Sequence, residues 1–400
     1  MKKYLFPMIF LLAASLFTAC DGRILTDVAN STEKVDKVYR NIIGVVNNSV
    51  YYQLNSGIYR NVSGGGSEEQ LVANSQNNIV QGSALIGDST KYIMYITNNP
   101  DDLQNGIVHF IGLSEETVTQ QQITDFSSDT TPREIIALYN NGSLLVRSKK
   151  DDNTNTFTIY YSCSYNGSSF TFKSVSIDLS SSYGVDNLYT PTAEADPTYG
   201  ILSFANTYDS NGSTDYAYSY YLIDFKTGTA TLIRGDLTSY QLAGFTIGHA
   251  DADAAKTLYA ITTGGRLYTA QTSDTPTFTY CNSLGYSYEP NAAFMYHIYA
   301  NNTNYLITKR STKNSALVVY SFEDGVASFS STTVRYGYAQ NISKDLITSA
   351  YKTSTSSSRK SKLLVATNES GMVDITINHD SVTSITTGNG STSDFEEYIF

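Results

Sequence analysis

Residues 258–271 read Leu-Tyr-Ala-Ile-Thr-Thr-Gly-Gly-Arg-Leu-Tyr-Thr-Ala-Gln, and this stretch decides the fold class. Two runs of β-branched, aromatic and aliphatic residues flank a pair of glycines. Runs of this kind favour strands, and glycine supplies the positive φ that a tight turn needs. The stretch therefore predicts a β-hairpin that turns at Gly264 and Gly265.

The same pattern recurs along the chain after about residue 37. Further hairpins are predicted at Tyr51–Arg60 and at Ile135–Arg147. Other predicted turns lie at Asn166-Gly167, Thr227-Gly228, Asp324-Gly325 and Ser370-Gly371. Tyrosine is abundant, with 33 copies, and helix-forming residues are scarce after the N-terminus, so we expect an all-β protein.

The order of these elements also repeats. An apolar strand, a loop and a strand–turn–strand recur with a period of about 40–50 residues, which is typical of propeller repeats. Seven such units fit at 38–75, 76–125, 130–180, 190–238, 240–286, 290–332 and 336–386. Seven sheets arranged radially would bury their faces against one another and leave only short edges.

In this organisation the chain resembles an exported bacterial seven-bladed β-propeller. It has no Gly-His…Trp-Asp pair of the WD40 kind. It contains no Trp at all, so the Ser-x-Asp-x-Gly-x-Thr-Trp box of sialidase-like propellers cannot be complete. No particular propeller family is assigned. Tandem β-sandwiches are the alternative fold, and a β-helix is a further one.

The N-terminus has the pattern of an export signal. Lys2 and Lys3 precede an almost wholly apolar run from Leu5 to Phe17. This run has the length of a signal-peptide core and is shorter than the ~20 residues that span a bilayer. Small residues follow the run, so we expect the product to be exported.

Residues 16–20, Leu-Phe-Thr-Ala-Cys, resemble the lipobox of bacterial lipoproteins. The resemblance implies cleavage before Cys20 and lipid on its thiol. The expected organisation is a signal peptide at 1–19, a lipidated cysteine and flexible tether at 20–37, and the β-propeller-like domain at 38–400. An ordinary secretory signal with a chance cysteine is the alternative, and it also exports the chain.

The charge of the chain argues against one class of binding partner, and its cysteines allow two interpretations. The formal net charge is −11, and an acidic surface repels phosphate backbones, so we expect no nucleic-acid partner. Cys163 and Cys281 fall in different predicted units. Two buried thiols are the preferred interpretation, and a disulfide in an oxidising compartment is the alternative.

Few sequence patterns point to catalysis or to a cofactor. No Gly-x-Ser-x-Gly motif is present, and His249-Ala-Asp251-Ala-Asp253 offers only a weak metal-ligand spacing. We therefore predict no catalytic, cofactor-binding or metal-binding residue, and we expect a binding protein more than an enzyme. Tyrosine clusters such as 216–221 either pack between blades or line a binding face.

These observations predict a lipid-anchored cell-envelope lipoprotein that acts as a binding or scaffold module. Its expected partners are the membrane, through lipid on Cys20, and a protein or glycan ligand. It would lie on the periplasmic face or the outer cell surface. The alternatives are a glycan-active envelope enzyme on a propeller scaffold and a surface adhesin.

Overall fold

The architecture was obtained as a computed structural model. The structure describes residues 40–47, 49–62, 68–73, 78–87, 90–114, 117–123, 133–149, 154–165, 169–180, 182–191, 199–210, 213–248, 257–272, 276–284, 295–300, 303–309, 316–323, 330–335, 347–356, 360–367, 372–378 and 397–398. These residues belong to a compact unit that extends from Tyr39 to Phe400.

The described residues of this unit form seven four-stranded antiparallel sheets, and each consists of four strands in chain order. The first three sheets contain β1 (Arg40–Val46), β2 (Ser49–Leu54), β3 (Gly57–Val62) and β4 (Glu69–Val72); β5 (Val80–Ile86), β6 (Tyr92–Thr97), β7 (Ile107–Gly112) and β8 (Val118–Gln122); and β9 (Arg133–Leu138), β10 (Ser143–Lys149), β11 (Thr154–Tyr165) and β12 (Phe170–Ser180).

The remaining four sheets follow the same order. They contain β13 (Gly184–Tyr189), β14 (Tyr199–Ser210), β15 (Ser213–Asp224) and β16 (Thr229–Leu232); β17 (Leu242–Ile247), β18 (Thr257–Thr262), β19 (Arg266–Gln271) and β20 (Thr279–Ser283); β21 (Met295–Ala300), β22 (Thr303–Lys309), β23 (Ala316–Glu323) and β24 (Ser330–Arg335); and β25 (Ile347–Ser356), β26 (Lys360–Thr367), β27 (Met372–Asn378) and β28 (Glu397–Tyr398).

The sheets are the blades of a β-propeller. The first strands of neighbouring blades contact one another, as β1 does with β5 and β5 does with β9. The first strand therefore lies innermost in each blade. β1 also contacts β25 of the last blade, which closes the ring. The predicted all-β, seven-bladed propeller is confirmed, and the seven blades fall close to the predicted units.

Two details of the repeat differ from the sequence prediction. The fourth blade begins at Gly184, because its innermost strand is β13 and not the more apolar β14. The seventh blade extends to Glu397–Tyr398, because its fourth strand is a two-residue segment close to the end of the chain. Neither strand is marked by a long apolar run.

Apolar side chains fill the spaces between blades. In β10, Leu144 and Val146 pack towards the second blade, whereas Leu145 packs towards the fourth. Successive side chains of a strand point to opposite faces, and both faces of this blade are covered. This explains why the middle strands are continuously apolar and do not alternate with polar residues.

A β-bulge recurs in the innermost strand. In six of the seven blades, among the described residues, this strand contains a residue that has no partner in the second strand: Ile43, Gln81, Ile136, Asp186, Ala243 and Thr348; β25 has a second such residue, Thr353. A small residue or Asn follows each bulge. An ideal Cβ on Gly44 would lie only 2.5 Å from Cδ2 of Leu85, so the small residue permits close approach of the next blade.

Among the described residues, one α-helix interrupts this pattern. Helix α1 (Pro100–Asn105) replaces the turn between β6 and β7. The Asn99 side chain accepts from the backbone N–H of Asp101 at 3.1 Å, and Gly106 ends the helix in the left-handed region. Within the part of the chain that the structure describes, no helix has the length and hydropathy needed to cross a membrane.

Candidate functional site

The candidate site lies between the fourth and fifth blades. It extends from the innermost strand of blade 4 to the outermost strand of blade 5 and combines a carboxylate, an exposed cation and three tyrosines. We call it the 4–5 seam and define it by Asp186, Tyr240, Gln241, Arg266, Tyr268 and Tyr280.

The chain that enters blade 5 is held by buried tyrosines. A short 3-10 helix at Asp236–Ser239 is anchored by Leu237, which is fully buried. The Tyr220 hydroxyl donates to the carbonyl oxygen of Tyr240 at 2.6 Å and accepts from the N–H of Leu242 at 3.2 Å. These bonds fix Tyr240 and the adjacent Gln241 at the start of the innermost strand.

The hairpin between β18 and β19 presents Arg266. Gly265 adopts a φ of 74°, and its N–H donates to the carbonyl of Thr262 at 2.9 Å. The Thr263 N–H donates to the carbonyl of Gln241 at 2.8 Å. The turn is thereby attached to the segment that carries Tyr240, and Arg266 begins β19 beside it.

Arg266 lies among the aromatic rings of the seam. Its Cζ is 4.3 Å from the centroid of the Tyr240 ring and 6.0 Å from that of Tyr280. Tyr268 and Tyr280 are cross-strand partners whose centroids are 5.8 Å apart in an edge-on arrangement. A guanidinium over a tyrosine face gains ~0.5–1 kcal/mol at an exposed site, which holds the cation in place.

The side chains around Arg266 differ in their exposure to solvent. Tyr268 is 1% exposed, whereas Tyr280 is 48% exposed, and Arg266 is also exposed. Tyr280 is one of three large apolar or aromatic side chains exposed among the described residues, the others being Val118 and Leu232. An aromatic ring beside a cation is typical of binding hot spots.

The inner end of the seam contains the carboxylate of Asp186, at the bulge of β13. One carboxylate oxygen, Oδ2, accepts from the Ser203 hydroxyl at 3.0 Å and lies 3.4 Å from the Tyr189 hydroxyl, which donates to the Leu242 carbonyl at 2.8 Å. The other, Oδ1, accepts from the Gln241 amide at 3.4 Å. Gln241 therefore links Asp186 to the segment that carries Tyr240.

The tyrosines near Asp186 are held in the protonated form. Burial, and then the nearby negative charge of Asp186, raise the pKa of Tyr139 and Tyr189 far above the usual value. Burial likewise raises the pKa of Tyr220. These phenols therefore remain protonated at neutral pH and are poorly suited to act as general bases.

Two buried histidines lie at other blade boundaries. His109 Nε2 is 3.0 Å from Oδ2 of Asp102, its Nδ1 is 3.3 Å from the Gln120 amide nitrogen, and Tyr95 stacks on its ring at 4.9 Å. Both ring nitrogens of His109 are thus engaged. Burial, and then the Asp102 carboxylate, raise the pKa of Tyr95 to about 12.

The second histidine has a similar environment between blades 5 and 6. Tyr259 stacks on His297 with centroids 4.9 Å apart, and His297 Nε2 is 3.0 Å from Oδ1 of Asn304. Both histidines are less than 10% exposed. They fill space between blades and do not form part of an accessible surface.

Several residues that the sequence analysis singled out fall outside the described residues: Cys20, His249, Asp251, Asp253 and the side chains of Cys163 and Tyr216. Cys281 is a free, half-buried thiol on β20. Within the tyrosine cluster, Tyr218 and Tyr220 stack with centroids 5.9 Å apart, and Tyr220 is completely buried. This part of the cluster packs between blades, as one of the two interpretations anticipated.

Asp101 and Asp102 begin helix α1, and Oδ2 of Asp102 lies 3.0 Å from Nε2 of His109. The accessible residues of the seam were missed. Tyr240 and Tyr280 are far apart in the sequence. Only the predicted glycine turn before Arg266 indicated that this part of the seam would be exposed.

Over the described ranges, no three His, Cys, Asp or Glu side chains converge in a way that could hold a metal ion. The seam contains a single carboxylate and a guanidinium that cannot ligate a cation. The seam can form hydrogen bonds, stack an aromatic ring on a ligand and place a guanidinium beside it. Such contacts serve the binding of a ligand.

No known protein family matches the chain, and neither does any curated protein. Solved structures do match. The extracellular domains of Drosophila Semaphorin 1a are 5% identical over 85% of this chain and 86% of that chain, with a TM-score of 0.44. An ulvan lyase is 13% identical over 88% of this chain and 97% of that chain, with a TM-score of 0.46.

A chain of a mitotic checkpoint complex is 10% identical over 82% of this chain and 83% of that chain, with a TM-score of 0.42. The three structures differ widely in role, and each has low sequence identity to this chain. The fold assignment depends on the seven sheets of the chain itself.

Proposed function

We propose that this chain is a lipid-anchored binding module of the cell envelope, and that its ligand binds at the 4–5 seam. The observation that carries the binding role is the pair formed by Arg266 and Tyr280. Both are exposed, and both are held by neighbours that are buried or hydrogen-bonded. A rigid scaffold that presents such side chains loses little conformational freedom on binding.

The location is supported by the sequence alone. Lys2 and Lys3, the apolar run to Phe17 and the cysteine at position 20 together favour export and lipid attachment. Several acyl chains on one residue give durable membrane attachment, whereas a single chain gives only marginal attachment. The tether at 20–37 would then place the propeller away from the bilayer.

The proposal is tested by ligand screening. The wild-type chain and a double variant, Arg266→Ala with Tyr280→Ala, are compared on glycan arrays and on envelope-protein arrays. We expect at least one ligand that the wild type retains and the double variant loses. A ligand retained equally by both proteins would mean that the seam is not the binding surface.

A glycan-active enzyme is the second candidate, and Asp186 is the observation that favours it. A carboxylate in an innermost strand, surrounded by tyrosines, is a possible acid or base. The raised pKa values of Tyr189 and Tyr220 count against proton abstraction by these residues. Release of shorter fragments from any bound glycan, lost in Asp186→Asn, would establish the enzyme instead.

A further inference from the structure

The charge of the 4–5 seam indicates the class of its ligand. Among the described residues, Arg266 has no carboxylate within ion-pair distance, although the chain as a whole has a net charge of −11. Its neighbours are instead the rings of Tyr240 and Tyr280. A cation that is fixed in position and not neutralised by an acid is complementary to an anionic ligand.

A second exposed cation, Arg234, lies in the segment that leads from blade 4 into blade 5. Arg234 forms a backbone bridge with Thr277 close to β20 and is exposed. An exposed acid, Asp236, lies two residues further along the chain. Burial raises the pKa of Tyr268, and the nearby negative charge of Asp236 adds a smaller rise. Charges farther away than about 8 Å are largely screened at physiological ionic strength, so the groups next to Arg266 decide which ligand it attracts.

The aromatic part of the seam favours a sugar. A pyranose has an apolar C–H face that packs on an aromatic ring and polar substituents at its edge. The Tyr280 ring is nearly half exposed, and the Arg266 Cζ is 6.0 Å from its centroid. A single sugar unit can thus contact the ring while its anionic substituent reaches the guanidinium.

The size of the exposed patch argues against a large protein interface. Specific protein interfaces bury about 1,200–2,000 Å² in total and have an apolar centre. The three exposed large apolar or aromatic side chains among the described residues, Val118, Leu232 and Tyr280, belong to three different blades. Among the described residues of the seam, Tyr280 is thus the one exposed large aromatic side chain, which is enough to stack on a single sugar ring.

We infer that the 4–5 seam binds acidic polysaccharide, with Arg266 pairing with a carboxylate or sulfate group and Tyr280 stacking on the sugar ring that carries it. This inference rests on the proposed binding function and specifies its ligand. Tyr240 and Tyr268 are positioning residues, because they hold Arg266 and Tyr280 in place.

The test is calorimetric titration of the full-length protein in detergent with four polymers. Polygalacturonate carries carboxylates, dextran sulfate carries sulfates, dextran is neutral, and polyglutamate is an acidic peptide. We expect at least one acidic polysaccharide to bind about tenfold or more tightly than dextran. The polymer that binds shows which anionic group is recognised.

Variants then connect binding to the named residues. Arg266→Ala is expected to weaken binding about tenfold or more, since it removes a charge-assisted pair. Arg147→Ala is the matched control, because Arg147 is an exposed arginine in blade 3 that already pairs with Glu134 at 2.8 Å. Tyr280→Phe should retain the affinity, and Tyr280→Ala should lower it.

Three results would overturn the inference: equal affinity for dextran and the acidic polysaccharides, polyglutamate binding that equals or exceeds theirs, or an affinity unaffected by Arg266→Ala. If an array ligand is neutral but depends on the seam, the inference fails and the binding function remains. If no ligand of any class binds, both fail.

Discussion

Gly82 of blade 2 lies so close to Leu138 of blade 3 that an ideal Cβ on Gly82 would be 2.6 Å from the Leu138 carbonyl oxygen. This contact joins two innermost strands just after the bulge at Gln81. Because the obstructing atom belongs to the backbone, a side chain on Gly82 requires the blades to move apart.

Gly82→Ala is therefore predicted to lower the free energy of unfolding by about 1–3 kcal/mol, as overpacking does in a filled core. Gly112→Ala is the control, because its Cβ would be 3.6 Å from the nearest atom, an ordinary contact with Tyr92. Denaturant unfolding of the two variants measures the difference. Equal stability of both would contradict the close packing of the innermost strands.

The bulge also shows what the sequence could and could not predict. Hairpins such as Tyr51–Arg60 can be predicted from the residues of their turns. The regular repetition of such hairpins along the chain indicates a propeller. The triplets Ile42-Ile43-Gly44, Val80-Gln81-Gly82 and Leu242-Ala243-Gly244 mark the bulge of the innermost strand and the small residue after it. This pattern is hard to detect in the sequence, because three other blades have Ala, Asn or Ser at the glycine position.

The candidate site was less accessible to prediction. Tyr240 precedes β17, Arg266 begins β19 and Tyr280 lies in β20. Their rings and charge come together only through the pairing of strands within blade 5 and its packing on blade 4. Tyrosine content predicted aromatic contacts, but it could not distinguish the exposed Tyr280 from the buried Tyr220.

A second prediction concerns Tyr220, whose hydroxyl holds the segment that carries Tyr240. Tyr220→Phe removes two buried hydrogen bonds, to the Tyr240 carbonyl and from the Leu242 N–H. We expect a loss of about 1–3 kcal/mol in stability, because the backbone groups lose their partner, together with weaker ligand binding. Tyr221→Phe, in the same strand, should leave binding unchanged; weakening by both variants would argue against a specific role for Tyr220.

A third prediction concerns alkaline pH. The pKa of Tyr95 is about 12 in the folded protein, compared with about 10 in an unfolded chain. A raised pKa means that the folded state holds the proton more strongly. The stabilisation is therefore fully present below about pH 10 and is lost as the pH rises through about 12.

Phenolate absorbance during a pH titration measures this effect. Asp102→Asn should lower the Tyr95 pKa, because the nearby negative charge is the second cause of its rise. Tyr95→Phe keeps the ring beside His109 but removes this part of the pH dependence. If the difference spectrum between wild type and Tyr95→Phe showed ionisation near pH 10, Tyr95 would not be buried as described.

A fourth prediction tests the proposed anchor. Cys20→Ala should abolish the incorporation of labelled palmitate, because no thiol remains at position 20 to carry an acyl chain. Cys281→Ala is the control, since this cysteine is a half-buried thiol on β20. Palmitate labelling that survives Cys20→Ala would remove the support for lipid attachment at this residue.

The binding account is tested most directly by amide hydrogen exchange of the full-length protein, with and without a saturating ligand from the arrays. The account predicts slower exchange in Tyr240–Gln241 and in strands β19 and β20, with little change in blade 2. Protection confined to other blades, with the seam unchanged, would contradict it.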